Sequence, residues 1–152
     1  MAAERTRVNM ALKATLGCLA AFAGVAALLF VGCNKLFEDM CGNEVLRTVP
    51  SPDGKVKAIL FKRDCGATTG YSEQLSLLPA GAILPNEGGD TFVADSNHGA
   101  AAGGPQVQVI WKDNDHLLIT HHPKARIFHA KQRVRVGWGL WRSRTVTVTY
   151  PK

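Results

Sequence analysis

The stretch EVLRTVPSPDGKVKAILFKR, residues 44–63, decides how the rest of the chain is read. Two runs rich in apolar and β-branched residues, Glu44 to Val49 and Lys55 to Arg63, flank Ser51-Pro52-Asp53-Gly54. Proline presets φ at the first corner of a turn, aspartate can bond its own backbone, and glycine accepts positive φ. The stretch is therefore read as a β-hairpin. In its second strand Val56, Ala58, Ile59, Leu60 and Phe61 are apolar on both faces, which predicts a central strand covered on two sides.

The same grammar continues downstream. Strands are expected at Ser72–Leu78, Thr91–Asp95, Gln106–Trp111, His116–His121, Ala125–Val136 and Thr145–Tyr150, separated by clusters of Gly, Pro, Asn and Asp. Val107, Val109 and Trp111 share one face, as do Leu117 and Ile119, and Val146, Val148 and Tyr150. No amphipathic helical period survives beyond residue 40. The fold class is all-β: a compact antiparallel β-sandwich or curved sheet of about eight strands.

Upstream the chemistry changes. The chain has 152 residues with 18 basic and 12 acidic side chains, yet residues 14–33 carry no charge, amide or proline. Twenty helical residues span about 30 Å, the thickness of a bilayer's hydrocarbon core. Arg5, Arg7 and Lys13 precede this run, while Lys35, Glu38 and Asp39 follow it. The positive-inside bias then sets residues 1–13 in the cytoplasm, 14–33 as a transmembrane anchor, 34–42 as a linker, and 43–152 as an exported β-domain. Two processing readings stand beside a retained anchor. Phe30-Val31-Gly32-Cys33 resembles a lipobox, which makes Cys33 a lipidation candidate, and signal cleavage would release a soluble domain. All three deliver the domain to the same side of the membrane.

Cys18 and Cys33 lie in or at the edge of the apolar run, where a thiol behaves as a small hydrophobe. Cys41 and Cys65 are the pair left on the oxidising side, and a bridge between them would contribute about 3–4 kcal/mol. Neither has a neighbour at C-x₂-C spacing, so zinc is disfavoured.

Four motif stretches occur in order: Cys41-Gly42-Asn43-Glu44, Ser51-Pro52-Asp53-Gly54-Lys55, Arg63-Asp64-Cys65-Gly66-Ala67-Thr68-Thr69-Gly70, and Ala94-Asp95-Ser96-Asn97-His98-Gly99. In these the chain resembles a family of small bacterial membrane-anchored proteins grouped as a domain of unknown function. The likeness covers roughly residues 41–150, and residues 137–144 depart from it. It implies a bacterial inner-membrane protein with a single pass and a periplasmic or extracellular β-domain. It implies no activity.

Three sets of residues are candidates for function. The loops carrying Thr68 and Thr69, and Asn97 and His98, offer hydroxyls, an amide, an imidazole and close backbone approach, and are the expected binding site. Lys131, Arg133 and Arg135, with Trp138 and Trp141, form a basic, indole-bearing stretch suited to an anionic surface. Residues 124–152 hold eight basic residues and no acid, whereas 34–123 hold seven basic and eleven acidic ones. The third set is a small enzyme or metal carrier centred on Asp64, Cys65 and His98, with His121 or His122 as a further base and Asp95, His116 and His129 as further ligands. No compact metal motif, Walker motif, dinucleotide fingerprint or nucleophile elbow occurs in the sequence.

The expectation is thus a non-catalytic envelope protein with no cofactor and no metal. Its partners would be the membrane and another envelope protein or an anionic lipid or polymer. Nucleic acid is disfavoured by location.

Overall fold

A computed structural model describes residues 17, 19, 21–30, 32, 41–66, 70–137 and 143–151. The chain divides into two compact units, Met1–Asp39 and Met40–Lys152. In the first, residues 21–30 are helical, with Phe22, Val25, Leu28, Leu29 and Phe30 all exposed. Among the described residues no helix is long and apolar enough to cross a membrane. Cys33 and the rest of the expected anchor and linker up to residue 40 lie outside the described residues.

The second unit is all-β. Its strands are β1 (Gly42–Pro50), β2 (Val56–Asp64), β3 (Ser72–Pro79), β4 (Phe92–Asp95), β5 (Gln108–Trp111), β6 (His116–Thr120), β7 (Arg126–Ala130), β8 (Arg133–Val136) and β9 (Arg144–Thr149). They form a five-stranded sheet in the order β1-β2-β3-β4-β7 and a four-stranded sheet in the order β5-β6-β9-β8. β1 starts inside the stretch expected to be linker.

The hairpin at residues 44–63 forms as its turn chemistry requires. Gly54 takes φ +67°, and the Ser51 hydroxyl donates to Asp53 Oδ1 at 2.7 Å while accepting from the Val56 amide at 3.1 Å. β2 lies between β1 and β3 and is buried on both faces. Val56, Ala58 and Leu60 join a core cluster that also draws on Leu75, Phe92, Leu117, Ile119, Val134, Val146 and Val148, so both sheets contribute to it.

The opposite face of β2 carries Ile59 and Phe61, which are also buried. The connection after β3 lies over this face and is fastened by side chains. Gln74 Oε1 accepts from the Gly89 amide at 2.6 Å, and the Leu77 amide donates to Asp90 Oδ1 at 3.2 Å. Asn43 Nδ2 donates to the carbonyls of Pro85 and Glu87 at 3.0 and 2.8 Å. Gly89 lies so close to β3 that a Cβ there would come within 2.9 Å of Gln74 Cβ and 3.0 Å of the Leu75 backbone.

Two expectations are corrected. The segment Ala125–Val136 is two strands in different sheets, which raises the number to nine among the described residues: β7 pairs with β4, and β8 pairs with β9. The chain crosses between sheets at Lys131 and Gln132, where the Lys131 amide bonds the Thr91 carbonyl at 3.0 Å and the Val148 amide bonds the Gln132 carbonyl at 2.8 Å. Lys131 therefore precedes β8 rather than belonging to it. The sheets are also not wholly antiparallel, since β6 and β9 pair in parallel. A parallel pair needs a long crossover, and the excursion through β7 and β8 supplies it.

Cys41 and Cys65 form a disulfide across a sequence separation of 24. The β1–β2 register pairs Gly42 with Asp64, so the two cysteines stand at the next cross-strand position. With its sulfur in the bridge, Cys65 has no thiolate to act as a nucleophile.

Candidate functional site

The end of β4 and the start of β7 bring a carboxylate, a guanidinium and an imidazole together. Their register sets Asp95 opposite Arg126. Arg126 grips the carboxylate with a fork: Nε donates to Oδ1 at 3.2 Å, and Nη2 pairs with Oδ2. The remaining terminal nitrogen, Nη1, donates to His98 Nε2 at 3.1 Å. A guanidinium can only donate, so in this contact Nε2 is the accepting nitrogen of the His98 ring. The Arg126 guanidinium beside Asp95 holds that carboxyl below its usual range, helped by the amide of Asn97.

His98 reaches this position through an unusual backbone. Asn97 and His98 both adopt positive φ, +51° and +54°, and Gly99 follows at +87°. Non-glycine residues seldom enter this left-handed region. Here the conformation is held by the Asn97 amide on Asp95 Oδ1 at 2.8 Å, and by the Ala100 and Ala101 amides on the carbonyls of Asn97 and Ser96 at 3.0 Å each. Backbone held this way marks a candidate functional position.

A bulge shapes the opposite wall. Pairing between β4 and β7 slips between Val93 and Ala94, so Phe128 is the extra residue on β7. Its ring lies 4.7 Å from the Arg126 guanidinium carbon and is 58% exposed. Tyr71 closes the third side, with Lys62 Nζ 4.5 Å from its ring centroid. Gly104, at φ +94°, is needed beside it, because a Cβ there would come within 3.0 Å of the tyrosine oxygen. Together Tyr71, Asp95, Ser96, His98, Arg126 and Phe128 line a cavity of about 460 Å³, within the size range of small-ligand sites.

Thr68 and Thr69 lie outside the described residues, but Gly70, the next residue in the chain, lines this cavity together with His98. Asn97 supports the loop through its backbone. Cys65 is not among the lining residues, and the Asp64 carboxylate is used in a local turn, accepting from the Gly66 amide at 3.0 Å. His116 bonds Asp113 at 2.9 Å, His121 the His122 carbonyl at 3.0 Å, and His129 the Asp90 carbonyl at 3.2 Å. Among the described residues no group of three or more His, Cys, Asp or Glu could hold a metal. Arg133 and Arg135 point outward from β8, alternating with buried Val134 and Val136. Trp138 and Trp141 lie outside the described residues.

Sequence reading missed Tyr71, Arg126 and Phe128. The bulge and the 31-residue separation of Asp95 from Arg126 leave no periodic trace. No family model, curated protein or solved structure matches the chain.

Proposed function

We propose that the chain is a single-pass bacterial envelope protein whose disulfide-pinned β-domain is a binding module, with its site at the cavity beside His98. The observation that carries the binding reading is the Asp95–Arg126–His98 constellation, which fixes a left-handed loop against an aromatic-walled cavity. All three residues line that cavity. The two sheets are read as halves of a β-sandwich, since one core cluster draws on both.

The membrane location rests on residues 14–33, whose composition suits a bilayer. The helical stretch 21–30 turns large apolar side chains outward, which water disfavours and lipid accepts. A disulfide between Cys41 and Cys65 fits an oxidising compartment. Lipidation of Cys33 would give the same topology with a different anchor.

A second reading, contact with anionic lipid or polymer, is favoured by Arg133 and Arg135 on the outward face of an edge strand. One experiment separates the two. Full-length protein in nanodiscs, labelled at arginine and histidine side chains, is titrated with solubilised envelope fragments and followed by NMR. Movement of the His98 and Arg126 signals supports the cavity, movement confined to Arg133 and Arg135 supports the surface, and an unchanged spectrum contradicts both.

A further inference from the structure

The geometry of the cavity points to a ligand class: we infer that it binds a small molecule presenting a carboxylate beside a flat apolar ring. This rests on the cavity being the binding site and adds what enters it.

Of the five N–H groups of a guanidinium, Arg126 uses Nε and one hydrogen on each terminal nitrogen for Asp95 and His98. One hydrogen on each terminal nitrogen is left. His98, whose Nε2 accepts from Arg126, also lines the cavity. The Ser72 hydroxyl accepts from Gln74 Nε2 at 2.7 Å, which leaves its own hydrogen to donate. Asp95, the one carboxylate among the described residues that line the cavity, is already gripped by Arg126. Arg126 and Ser72 thus have hydrogens to give, while the carboxylate among the described lining residues is engaged. The site calls for a ligand rich in acceptors, and a carboxylate brings two charged oxygens to the hydrogens that Arg126 has left.

The Phe128 and Tyr71 rings are partly exposed beside these donors, and Val93 adds apolar floor. An aromatic or alicyclic ring beside the carboxylate would cover Phe128, a large apolar surface that the fold leaves uncovered.

Asp95 has a specific consequence. It neutralises Arg126 and therefore competes with the ligand for the guanidinium. Replacing it by asparagine keeps an oxygen for the Asn97 amide while removing that competition.

The test uses full-length protein in nanodiscs with phenylacetate as the probe, and benzylamine and benzyl alcohol as controls of the same size. NMR and calorimetry should show phenylacetate binding with shifts at His98 and Arg126, and neither control should compete. Arg126→Gln should weaken phenylacetate about tenfold or more, the scale of a charge-assisted pair. Asp95→Asn should strengthen it severalfold, which a merely structural role for Asp95 does not produce. Equal binding of benzyl alcohol, or weaker binding in Asp95→Asn with an unchanged near-ultraviolet CD spectrum, overturns the carboxylate assignment. If envelope fragments move the His98 signal but phenylacetate does not, this inference fails while the cavity reading stands. If neither moves it, both fail.

Discussion

Arg144, at the start of β9, donates to the carboxylate of Asp53, 91 residues earlier in the first hairpin turn, at 2.6 Å. The same guanidinium pairs with Asp115 through Nε at 3.1 Å, and the Asp53 amide donates to Asn114 Oδ1 at 3.0 Å. One side chain thus ties the β1–β2 turn of one sheet to the β5–β6 turn of the other. It also takes Arg144 out of the basic set available to an anionic surface.

This tie gives a pH dependence. The Arg144 guanidinium, aided by the Ser51 hydroxyl, holds the Asp53 carboxyl well below the usual carboxylate range. A depressed folded value means that the contribution is complete above the unfolded pKa, about 4, and is lost as pH falls through the folded value. Below pH about 4, urea midpoints of the wild type should therefore fall more steeply than those of Arg144→Met. Parallel acid limbs in the two proteins would contradict this.

Tyr150 makes the opposite edge of the profile. Burial pushes its phenol up to about 12, and the hydroxyl donates to the Lys131 carbonyl at 2.9 Å. Stability from this group is complete below the unfolded value near 10 and is lost progressively as pH rises from there to 12. Tyr150→Phe should flatten the alkaline limb across that window. An unaltered limb would show that the phenol is not held neutral.

The Cys41–Cys65 bridge closes the open end of the β1–β2 hairpin. Replacing both cysteines by serine should cost about 2–4 kcal/mol, lowering the melting temperature by roughly 10–20 °C for a domain of this size. Wild-type protein treated with reductant should melt with the double variant. A melting temperature unmoved by reduction would mean that the bridge adds nothing to the fold.

Gly89 tests the strap across the outer face of the five-stranded sheet. Its Cβ would meet the Leu75 backbone, which cannot rotate away. Gly89→Ala should therefore destabilise by about 1–3 kcal/mol and raise amide exchange at Gly89 and Leu77, whose bonds fasten the strap. A neutral substitution would show that the strap has room to lift.

Arg133 and Arg135 should govern any attraction to anionic vesicles. At roughly 1 kcal/mol per basic group near such a surface, replacing both by glutamine should weaken vesicle binding by about thirtyfold at low salt. Co-sedimentation with vesicles containing phosphatidylglycerol measures it. Equal binding by the variant would locate the attraction elsewhere.

The strands were legible because their chemistry is local. Alternation at Val107 and Val109, at Leu117 and Ile119, and at Val146 and Val148 matches the buried face of each strand. The turn at Ser51–Gly54 carries its own geometry in its residue types. The split of residues 125–136 was not legible, because Arg126–Ala130 and Arg133–Val136 are each acceptable strands and only their partners, β4 and β9, separate them. The parallel β6–β9 pair was hidden for the same reason. At the site, small and polar loop residues flagged Asn97 and His98, whereas Arg126 and Phe128 looked like ordinary members of a basic strand. Pairing across 31 residues, and a bulge that depends on Val93 and Ala94, gave them their position.

Envelope binding requires the β-domain to lie on the oxidising side of the membrane. A fusion after Lys152 to a reporter that matures only on the oxidising side of the membrane measures this directly. Activity in intact cells that disappears when residues 14–33 are removed is the expected result. Activity only from a cytosol-restricted reporter fused at the same position would contradict the topology, and the envelope binding proposals with it.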